Sequence, residues 1–495
     1  MYYPNKRKFI QYARRGNIIP VYRELISDME TPVALFQRLD KGGCGYLLES
    51  VEGGEHLGRY SFLGVEPAVI FRSKGREIQV TEKGRKRTWV TDSNPLDELK
   101  KIMSRYKAVA VEGLPRFSGG AVGYIGYNTV RYFEDIPQGN PDDLHLPDIY
   151  FMITDTLIIF DHVKHVIKVV TNAHIDKDSP GRVYDKAVKN IARIVRRCRS
   201  RITTSSSLSM AELARRTPKL KVKSNFSRKQ FEDIVRKAKT YIRRGDVIQV
   251  VLSQRFRVNI HCTPFNVYRA LRSVNPSPYM YYIKGEQGHI IGSSPEILVR
   301  CEKNAVETRP IAGTRPRGKT DGDDKRLEQQ LLADAKERAE HIMLVDLGRN
   351  DIGRVCRSGS VRVTDFMVIE KYSHVMHLVS NVEGKLRRGK DQYNVFQAAF
   401  PAGTVTGAPK IRAMEIIDEL ENRSRGPYAG AVCYFGFSGN LDSAITIRTI
   451  IVKGRTAYIQ AGAGIVADSV PSREYQETVN KARGMVKAIS LAETF

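Results

Sequence analysis

The first third of the chain consists of short runs in which apolar and polar residues alternate, separated by glycine or aspartate turns. Between residues 25 and 172 these runs are YLLESVEGG, YSFLGVEPAVIFRS, FSGGAVGYIGY and YFMITDTLIIFDHVKHVIKVVTN. A period of two predicts strands that bury one face in an antiparallel sheet. We therefore expect residues 25–172 to form a domain that consists mainly of antiparallel sheet.

The spacing of apolar residues changes to a helical period after residue 178. Residues 179–198 predict a basic helix, and the polar residues 199–224 are interpreted as a linker between two domains. Beyond the linker, Ser227 has the residue type of an N-cap, for a helix that runs through Arg244 and ends at Gly245.

Strands and long helices alternate in residues 225–490, where we expect a second domain. Residues 325–348 predict a helix, and residues 431–466 predict three antiparallel strands that end in a turn at Gly462–Gly464. The expected fold class is therefore α+β, with large sheets covered by helices.

Composition places the chain among ordinary globular proteins. It has 495 residues, enough for two or three domains, with 41% hydrophobic and 27% charged residues. The six cysteines include no C-x-x-C pair, which favours reduced thiols over a disulfide framework or a zinc site. The N-terminus lacks an apolar signal segment, and no apolar run approaches about 18 residues. We therefore expect a cytoplasmic protein that does not enter membranes.

The formal net charge of +26 raises the question of an anionic partner. Lysine and arginine are concentrated in the N-terminal tail and between Lys186 and Lys223. Nucleic-acid-binding proteins have such a charge, but these segments contain no aromatic-interleaved RNA motif, zinc finger or helix-turn-helix. We favour a solvated basic surface that attracts anionic substrates or an acidic partner.

Two Glu-x-x-Glu pairs are the candidate metal ligands. Glu337 and Glu340 lie in KERAEHIMLVDLGRND, and Glu474 and Glu477 lie in SREYQETVNKARGMVKAI. In a helix, a spacing of three places both carboxylates of a pair on one face. Facing pairs repel each other without a hard cation, and oxygen ligands without His or Cys favour Mg²⁺. The alternative is that both pairs are solvated acidic helix faces.

Three other features fit either a binding role or an ordinary structural one. Gly462-Ala463-Gly464 has the small residues that let backbone N–H groups approach an anion, but it also fits a plain turn. Arg448, expected on one sheet face with Ala444 and Thr446, is either a member of an ion pair or a bidentate carboxylate clamp. His377 lies on a predicted strand, where an apolar-flanked histidine is usually a core residue.

The order of these motifs along the chain resembles the chorismate-utilising enzymes and, among them, the anthranilate synthase component I family. The motifs are LLES, FSGGAVGYIGY, GDVIQVVLSQRF, NPSPYM, GSSPEILVR, RPIAGTRPRG, KERAEHIMLVDLGRND, HVMHLVS, PAGTVTGAPK, GPYAGAV, AITIRT, QAGAGIVADSVP and the last Glu-x-x-Glu helix. The resemblance implies large antiparallel sheets packed as a sandwich and flanked by helices. It also implies a regulatory domain over residues 25–172 and a chorismate-binding catalytic domain over residues 225–490.

The resemblance implies a magnesium ion that joins the two glutamate-bearing helices and holds the ring carboxylate of chorismate. Glu340 and Glu477 match the direct metal ligands, and Glu337 and Glu474 match the second pair. Tyr428 and Arg448 match the residues that grip the enolpyruvyl carboxylate. The residues that match the whole chorismate site are Gly313, Thr314, Tyr428, Arg448, Gly462, Ala463, Gly464 and Lys481.

Four positions bear on the reaction that the resemblance implies. Gln249 stands where relatives that add water carry a lysine base, and a neutral amide suits ammonia as the nucleophile. Glu296 matches the general acid that protonates the departing ring hydroxyl. Ala312 stands where aminodeoxychorismate synthases often carry a lysine, and His377 matches a histidine implicated in eliminating pyruvate. The implied enzyme is a lyase that converts chorismate and ammonia to anthranilate and pyruvate.

A further group matches the site at which tryptophan inhibits this family: Glu49, Ser50, Asn275, Pro278, Tyr279 and Met280. Its structural alternative is a strand end and a proline turn. The chain shows no nucleophile-elbow cysteine of a glutamine amidotransferase. The resemblance therefore implies a separate amidotransferase small subunit that supplies ammonia, in a heterotetramer of two large and two small subunits.

Other functions remain as alternatives. Aminodeoxychorismate synthase component I, of the folate pathway, would stop after amination. Isochorismate or salicylate synthesis is disfavoured by Gln249. A basic nucleic-acid-binding protein that has lost its enzyme activity is the alternative from a different class.

Overall fold

The computed structural model of the protein describes residues 1–50, 58–137, 139–200, 217–372 and 375–495. Residues 201–216, most of the predicted linker, lie outside the described residues. Within the described ranges, the strands form two sheets of 12 strands each, and neighbouring strands pair antiparallel. The prediction of an α+β fold with large antiparallel sheets is confirmed.

The first sheet, here called sheet A, contains strands from both halves of the chain. Numbered along the chain and given in spatial order, its strands are β1 (Ile18–Ile26), β10 (Val166–His174), β9 (Thr156–Asp161), β3 (Tyr60–Val65), β2 (Gly45–Glu49), β13 (Tyr279–Lys284), β14 (His289–Ser294), β23 (Thr449–Lys453), β24 (Thr456–Ile465), β12 (Gln249–Asn259) and β11 (Lys223–Ser224), with β20 (Gly407–Ala408) beside β12.

The second sheet, sheet B, is built in the same way. Its strands are β17 (Ile311–Pro316), β19 (Val375–Lys385), β16 (Ala305–Thr308), β15 (Ile297–Glu302), β22 (Leu441–Ile445), β21 (Ala431–Gly436), β7 (Gly120–Ile125), β8 (Ile149–Ile153), β4 (Val69–Lys74), β5 (Glu77–Glu82) and β6 (Arg85–Val90), with β18 (Arg362–Lys371) beside β19. Because β2 pairs with β13 and β7 pairs with β21, both sheets continue from one predicted domain into the other.

Helices cover the outer faces of the sheets. In the described part of the chain they are α1 (Lys6–Tyr12), α2 (Pro32–Leu39), α3 (Pro95–Met103), α4 (Pro180–Cys198), α5 (Arg228–Arg243), α6 (Pro264–Val274), α7 (Asp321–Ala333), α8 (Ala335–Gly353), α9 (Gln392–Ala399), α10 (Lys410–Leu420) and α11 (Pro471–Ala492), with short 3-10 helices at Tyr127–Tyr132 and Gly403–Val405. None of them is long and apolar enough to cross a lipid bilayer.

Local capping decides where these helices begin and end. Helix α5 starts at a capping box formed by Ser227 and Gln230, as the sequence predicts, and Gly245 follows its end with φ 82°. The single helix predicted over residues 325–348 is instead two helices. Asp334 is extended there, and its carboxylate accepts hydrogen bonds from the first backbone N–H groups of α8, which starts a new helix.

Three apolar clusters show how the layers stack. One lies between the sheets and combines Tyr46 and Tyr281 of sheet A with Val122 and Tyr434 of sheet B. A second packs sheet A against α4, α6 and α11, and a third packs sheet B against α3 and α9. Helix α11 contributes Ala482 and Ile489, both buried, to the second cluster. The protein is therefore a sandwich of two sheets flanked by helices.

The chain crosses from sheet B to sheet A within residues 431–466. This region has four strands rather than three, because β21 and β22 belong to sheet B whereas β23 and β24 belong to sheet A. Arg448 lies in the crossing with φ 50°, so the prediction that it shares a sheet face with Ala444 and Thr446 is wrong. Gly462–Gly464 do not form a turn, since β24 pairs with β12 as far as Ile465.

Candidate active site

Arg448 occupies the crossing between the two sheets. Its left-handed backbone conformation costs a non-glycine residue of order 1 kcal/mol, so the surrounding structure holds it there. Burial lowers the pKa of its guanidinium, and no carboxylate among the described residues forms an ion pair with it. A half-buried cation that pairs with none of the described carboxylates is suited to an anionic ligand.

His377 lies on β19, opposite a bulge in β17. Its Nδ1 is 3.1 Å from the carbonyl oxygen of Gly313 and 3.1 Å from Thr314 Oγ1. A carbonyl oxygen only accepts hydrogen bonds, so Nδ1 carries the proton and Nε2 keeps a lone pair. Burial lowers the pKa of His377, and the positive charge of Arg448 lowers it further. The imidazole is therefore neutral at neutral pH and can accept a proton at Nε2.

The bulge in β17 requires glycine at position 313. The register shifts between Ala312 and Thr314, and Gly313 has φ 60°. A Cβ at this position would lie 2.9 Å from Leu331 and 3.2 Å from Glu337 Oε2. Because Gly313 has no side chain, helix α8, which carries Glu337, can pack closely against strand β17. Strand β17 pairs with the strand that carries His377.

Glu296 precedes β15 and is fixed by its backbone, since its carbonyl oxygen accepts a hydrogen bond from Ile445 N at 3.0 Å. Its side chain is only 7% exposed. Burial raises the pKa of this carboxyl to about 8, although the neighbouring Thr404 hydroxyl and the charge of Lys481 act in the opposite direction. The group is therefore protonated at neutral pH, as a general acid must be.

The two glutamate pairs lie at the N-terminal ends of α8 and α11. Glu337 and Glu474 are in the first turns of these helices, where the helix dipole favours negative charge. Burial and the charge of Glu477 raise the pKa of Glu474, while Lys336 of α8 lowers it. Lys336 of α8 therefore lies within electrostatic range of Glu474 of α11.

All four carboxylates have protein partners, and Glu474 accepts a hydrogen bond from the side chain of Ser469. Glu340 accepts from Gln249 Nε2 at 3.0 Å, Glu337 pairs with Arg315 at 3.3 Å, and Glu477 pairs with Lys481 at 2.7 Å. Within the described ranges, no three carboxylate, imidazole or thiolate groups converge on one point. Four oxygen donors and the raised pKa of Glu474 fit a hard cation at these helix ends.

Strand β24 offers backbone donors along one free edge. It pairs with β23 only as far as Ile459, whereas its pairing with β12 continues to Ile465. Lys481 Nζ donates to the Gly462 carbonyl at 3.1 Å, so the polar groups of Gly462 face away from β12. Residues two apart in a strand point to the same edge, which places the N–H groups of Gly462 and Gly464 there.

Because Gly462 and Gly464 have no side chains, the side chains of Tyr428 and Gln249 can pack directly against strand β24. A Cβ on Gly462 would lie 2.8 Å from the Tyr428 hydroxyl, and one on Gly464 would lie 2.6 Å from Gln249 Nε2. Burial raises the pKa of Tyr428 to about 12, so its phenol remains a hydrogen-bond donor. Gly462 and Gly464 were predicted to form a turn. They lie instead in a strand, where glycine is needed because other side chains pack closely against it.

Direct contacts assemble several of the predicted residues into three groups. Gln249 contacts Glu340 and Gly464; Gly462 contacts Tyr428 and Lys481; and Gly313 contacts Glu337 and His377. Strand β24 joins the first two groups, and helix α8 joins the first and the third. Arg315, the partner of Glu337, was not predicted from the sequence, although it stands next to Thr314 in the RPIAGTRPRG motif.

A separate cavity of about 340 Å³ lies between the two sheets. Five of the six residues predicted for the inhibitor site line it: Glu49, Ser50, Pro278, Tyr279 and Met280. Strands β2 and β13 bring them together, because Met280 pairs with Glu49. The sixth, Asn275, is not in the lining, and its side-chain amide donates to Ser293 Oγ at 2.7 Å.

The polar lining of this cavity includes Arg116 and Asp442, which were not predicted from the sequence. The Asp442 carboxylate accepts hydrogen bonds from Tyr279 Oη at 3.0 Å and from Arg116 Nη2 at 2.9 Å. The Tyr268 hydroxyl donates to Glu49, whose pKa is raised by burial. Asp442 lies in a segment that the sequence predicts as a strand. An aspartate at a buried strand position could have indicated a polar site there.

Comparison with known proteins identifies what the chain is similar to. The model of the chorismate binding enzyme family matches residues 45–487. Anthranilate synthase component 1 of Acetivibrio thermocellus is 50% identical over 492 residues, covering 99% of both chains. The same component of Aquifex aeolicus (strain VF5) is 51% identical over 479 residues, covering 96% of both.

Solved structures agree with these matches. Anthranilate synthase component I from Streptococcus pneumoniae TIGR4 is 38% identical and superposes with a TM-score of 0.77, covering 93% of this chain and 99% of that one. The menaquinone-specific isochorismate synthase of Escherichia coli, at 16% identity and a TM-score of 0.70, covers 98% of this chain and 99% of its own. The latter likeness concerns the fold alone.

Proposed function

The chain belongs to the family of chorismate-binding enzymes, and we propose that it is the large subunit of an anthranilate synthase. It converts chorismate and ammonia to anthranilate, pyruvate and water, a step of tryptophan biosynthesis. The observation that carries this proposal is the contact between Gln249 and Glu340. A neutral amide, rather than a lysine base, stands beside the helix that carries the candidate metal ligands, which supports ammonia over water as the nucleophile.

Two carboxylates of chorismate need two separate anchors. Arg448 has no carboxylate partner among the described residues, and with the Tyr428 hydroxyl it is suited to the enolpyruvyl carboxylate. Lys481 and the free backbone edge of Gly462 and Gly464 are suited to the ring carboxylate. Two anchors fix the position and the orientation of the ring, which lowers the entropic cost of reaching the transition state.

We propose Mg²⁺ as the cofactor at the ring-carboxylate end. Glu340 and Glu477 would hold it directly, with Glu337 and Glu474 behind them. When bound, the ion supplies positive charge that neutralises the substrate carboxylate and the repulsion among the glutamates. Oxygen donors alone and the raised pKa of Glu474 support this assignment.

In the amination step, ammonia forms a C–N bond to the ring while the ring hydroxyl departs. Glu296 is protonated at neutral pH and gives its proton to that hydroxyl, which leaves as water. Ammonia carries its own lone pair and needs no base before attack, so an amide at position 249 is sufficient. The attached nitrogen loses a proton afterwards.

In the elimination step, a base removes the proton from the ring carbon that bears the new amine. His377 Nε2 has the free lone pair for this role. The electrons of the C–H bond enter the ring, the ring carbon–oxygen bond to the enolpyruvyl group breaks, and the ring becomes aromatic. Enolpyruvate takes up a proton and becomes pyruvate.

We also propose regulation and a partner. Tryptophan would occupy the cavity between the sheets, where its ammonium group would pair with Glu49 and its indole would lie among Pro278, Tyr279 and Met280. A volume of about 340 Å³ is within the range of small-ligand sites. A separate glutamine amidotransferase subunit would supply ammonia, and the six free thiols are consistent with a reducing cytoplasm.

The proposal is tested by supplying the purified chain with chorismate and MgCl₂, and with either ammonium chloride or glutamine. We expect anthranilate fluorescence with ammonium and none with glutamine, because the proposed glutaminase is a separate subunit. In Gln249→Lys, anthranilate formation should fall at least tenfold, since the ammonium group of lysine would replace the amide. Formation of isochorismate by the parent enzyme without ammonium would contradict the proposal.

A further inference from the structure

A buried ion pair lies beneath the candidate active site. Arg425 is 2% exposed and Glu421 is 6% exposed. Arg425 Nε donates to one carboxylate oxygen of Glu421 at 3.0 Å, and Nη2 donates to the other at 2.6 Å. The guanidinium and the carboxylate are therefore locked in a planar, bidentate arrangement with little rotational freedom.

The same guanidinium joins one segment that carries a site residue to another that lies beside one. Arg425 Nη2 donates to the carbonyl oxygen of Val251 at 2.7 Å, two residues beyond Gln249 on β12. Arg425 Nη1 donates to the carbonyl oxygen of Val405 at 2.7 Å. Val405 follows Thr404, whose side chain lines one small cavity together with Glu296.

Arg425 also fixes the ring of Tyr428. Its guanidinium carbon lies 5.6 Å from the centroid of the Tyr428 ring and 4.9 Å from that of the Tyr127 ring. The cation between two aromatic faces restricts the tilt of the Tyr428 ring and hence the position of its hydroxyl over Gly462.

Glu421 extends the network on its other side. One of its oxygens accepts from both the backbone N–H and the hydroxyl of Ser253, each at 2.8 Å. Ser253 Oγ in turn accepts from Gln460 Nε2 at 2.8 Å, which links β12 to β24. All these groups are buried, and their hydrogen bonds leave the pair with almost no unsatisfied capacity.

Stability alone does not explain such a pair. Burying two charges costs so much desolvation energy that apolar residues of similar volume are often as stable or more stable. A fully bonded network does fix geometry. This one reaches the strand of Gln249, the ring of Tyr428 and the segment of Thr404, which neighbours Glu296. We propose that Arg425, held by Glu421, is a positioning residue that sets the relative placement of Gln249, Glu296 and Tyr428. This inference rests on the function proposed above.

The test compares Arg425→Lys and the double variant Glu421→Gln/Arg425→Met with the parent enzyme and a matched control. The double variant removes both charges and keeps a hydrogen-bond acceptor for Ser253. In contrast, Arg425→Lys keeps the positive charge but loses the two-pronged pairing of the guanidinium with Glu421. The control is Lys168→Met, because Lys168 is also a buried cation, 5% exposed, but pairs with Glu24 at the far edge of sheet A. Thermal unfolding, ammonium-dependent kcat, KM for chorismate and the pH profile are measured for each.

We expect both Arg425 variants to have kcat at least tenfold lower and KM for chorismate at least fivefold higher. The pH at which amination declines should also move, because the segment beside Glu296 is no longer fixed. Lys168→Met should unfold at a lower temperature but keep kcat and KM within twofold. If the double variant does not fold, Arg425→Lys provides the comparison.

Folded Arg425 variants with the kinetics and pH profile of the control would overturn the positioning role. This outcome differs from failure of the proposed function, in which the parent enzyme itself forms no anthranilate. An active parent with unchanged Arg425 variants would refute only the inference about Arg425.

Discussion

Glu296→Gln should make the protein more stable and the enzyme much slower. Burial raises the pKa of Glu296 from 4.5 to about 8. At pH 7 the folded protein therefore keeps a proton that the unfolded chain has released. Each pH unit between the unfolded-state pKa of 4.5 and pH 7 contributes about 1.4 kcal/mol. Keeping the Glu296 proton in the folded state at pH 7 therefore lowers the free energy of unfolding by roughly 3 kcal/mol.

The sign of this effect determines its pH dependence. The folded state binds more protons than the unfolded state between pH 4.5 and about 8, so this carboxyl lowers stability as the pH rises through that window. Glutamine does not titrate. The variant should match the parent below pH 4.5 and exceed it by roughly 3 kcal/mol at pH 7.

Urea unfolding of parent and variant at pH 4 and pH 7 measures the difference in the free energy of unfolding. Ammonium-dependent turnover measures the loss of catalytic rate. Loss of a general acid should lower kcat by about 10²–10⁴-fold. Glu77→Gln, at an exposed position of β5, is the control for the amide substitution and should change neither quantity. A Glu296→Gln enzyme that is no more stable at pH 7 and that retains full turnover would refute the argument.

Other variants test the remaining assignments. Glu340→Gln and Glu477→Gln should each abolish magnesium-dependent turnover without changing the circular dichroism spectrum; undiminished turnover in either contradicts the metal assignment. His377→Gln should slow pyruvate release more than amination, so that an aminated intermediate accumulates in quenched reactions; equal slowing of both steps would count against its elimination role. Ser50 Oγ is buried without a hydrogen-bond partner among the described residues, so Ser50→Ala should leave basal turnover unchanged and weaken tryptophan inhibition by roughly fivefold, about 1 kcal/mol. Unchanged inhibition would place the inhibitor elsewhere.

Local signals predicted much of the fold. The alternating runs became strands, the basic segment became α4, and the cap at Ser227 began α5. These features depend on residues close together in sequence, which determine strand and helix periods and capping. The break at Asp334 was missed because the helical pattern continues across it, while its capping carboxylate starts a new helix.

The pairing between distant segments could not be predicted in this way. Both sheets contain strands from both predicted domains, and the crossing at Arg448 appears only when β22 and β23 are assigned to different sheets. The strand at Gly462–Gly464 resembled a turn because glycine usually marks one. Here glycine is required because Tyr428 and Gln249 pass over it from other parts of the chain.

The candidate site was predicted by residue type but not by contact. The motifs identified Gln249, Glu340 and His377, but their partners lie on separate elements. Arg425 was missed for the same reason: nothing within its neighbourhood in sequence indicates that it reaches Val251 and Val405. Partners that are distant along the chain leave no periodic or compositional signal.

The most direct test of the proposed reaction measures anthranilate and pyruvate in the same sample. The purified chain is given chorismate, MgCl₂ and ammonium chloride, and both products are quantified against the chorismate consumed. We expect one anthranilate and one pyruvate for each chorismate. Consumption of chorismate to an aminated product that keeps its enolpyruvyl group, with no release of pyruvate, would contradict the assignment.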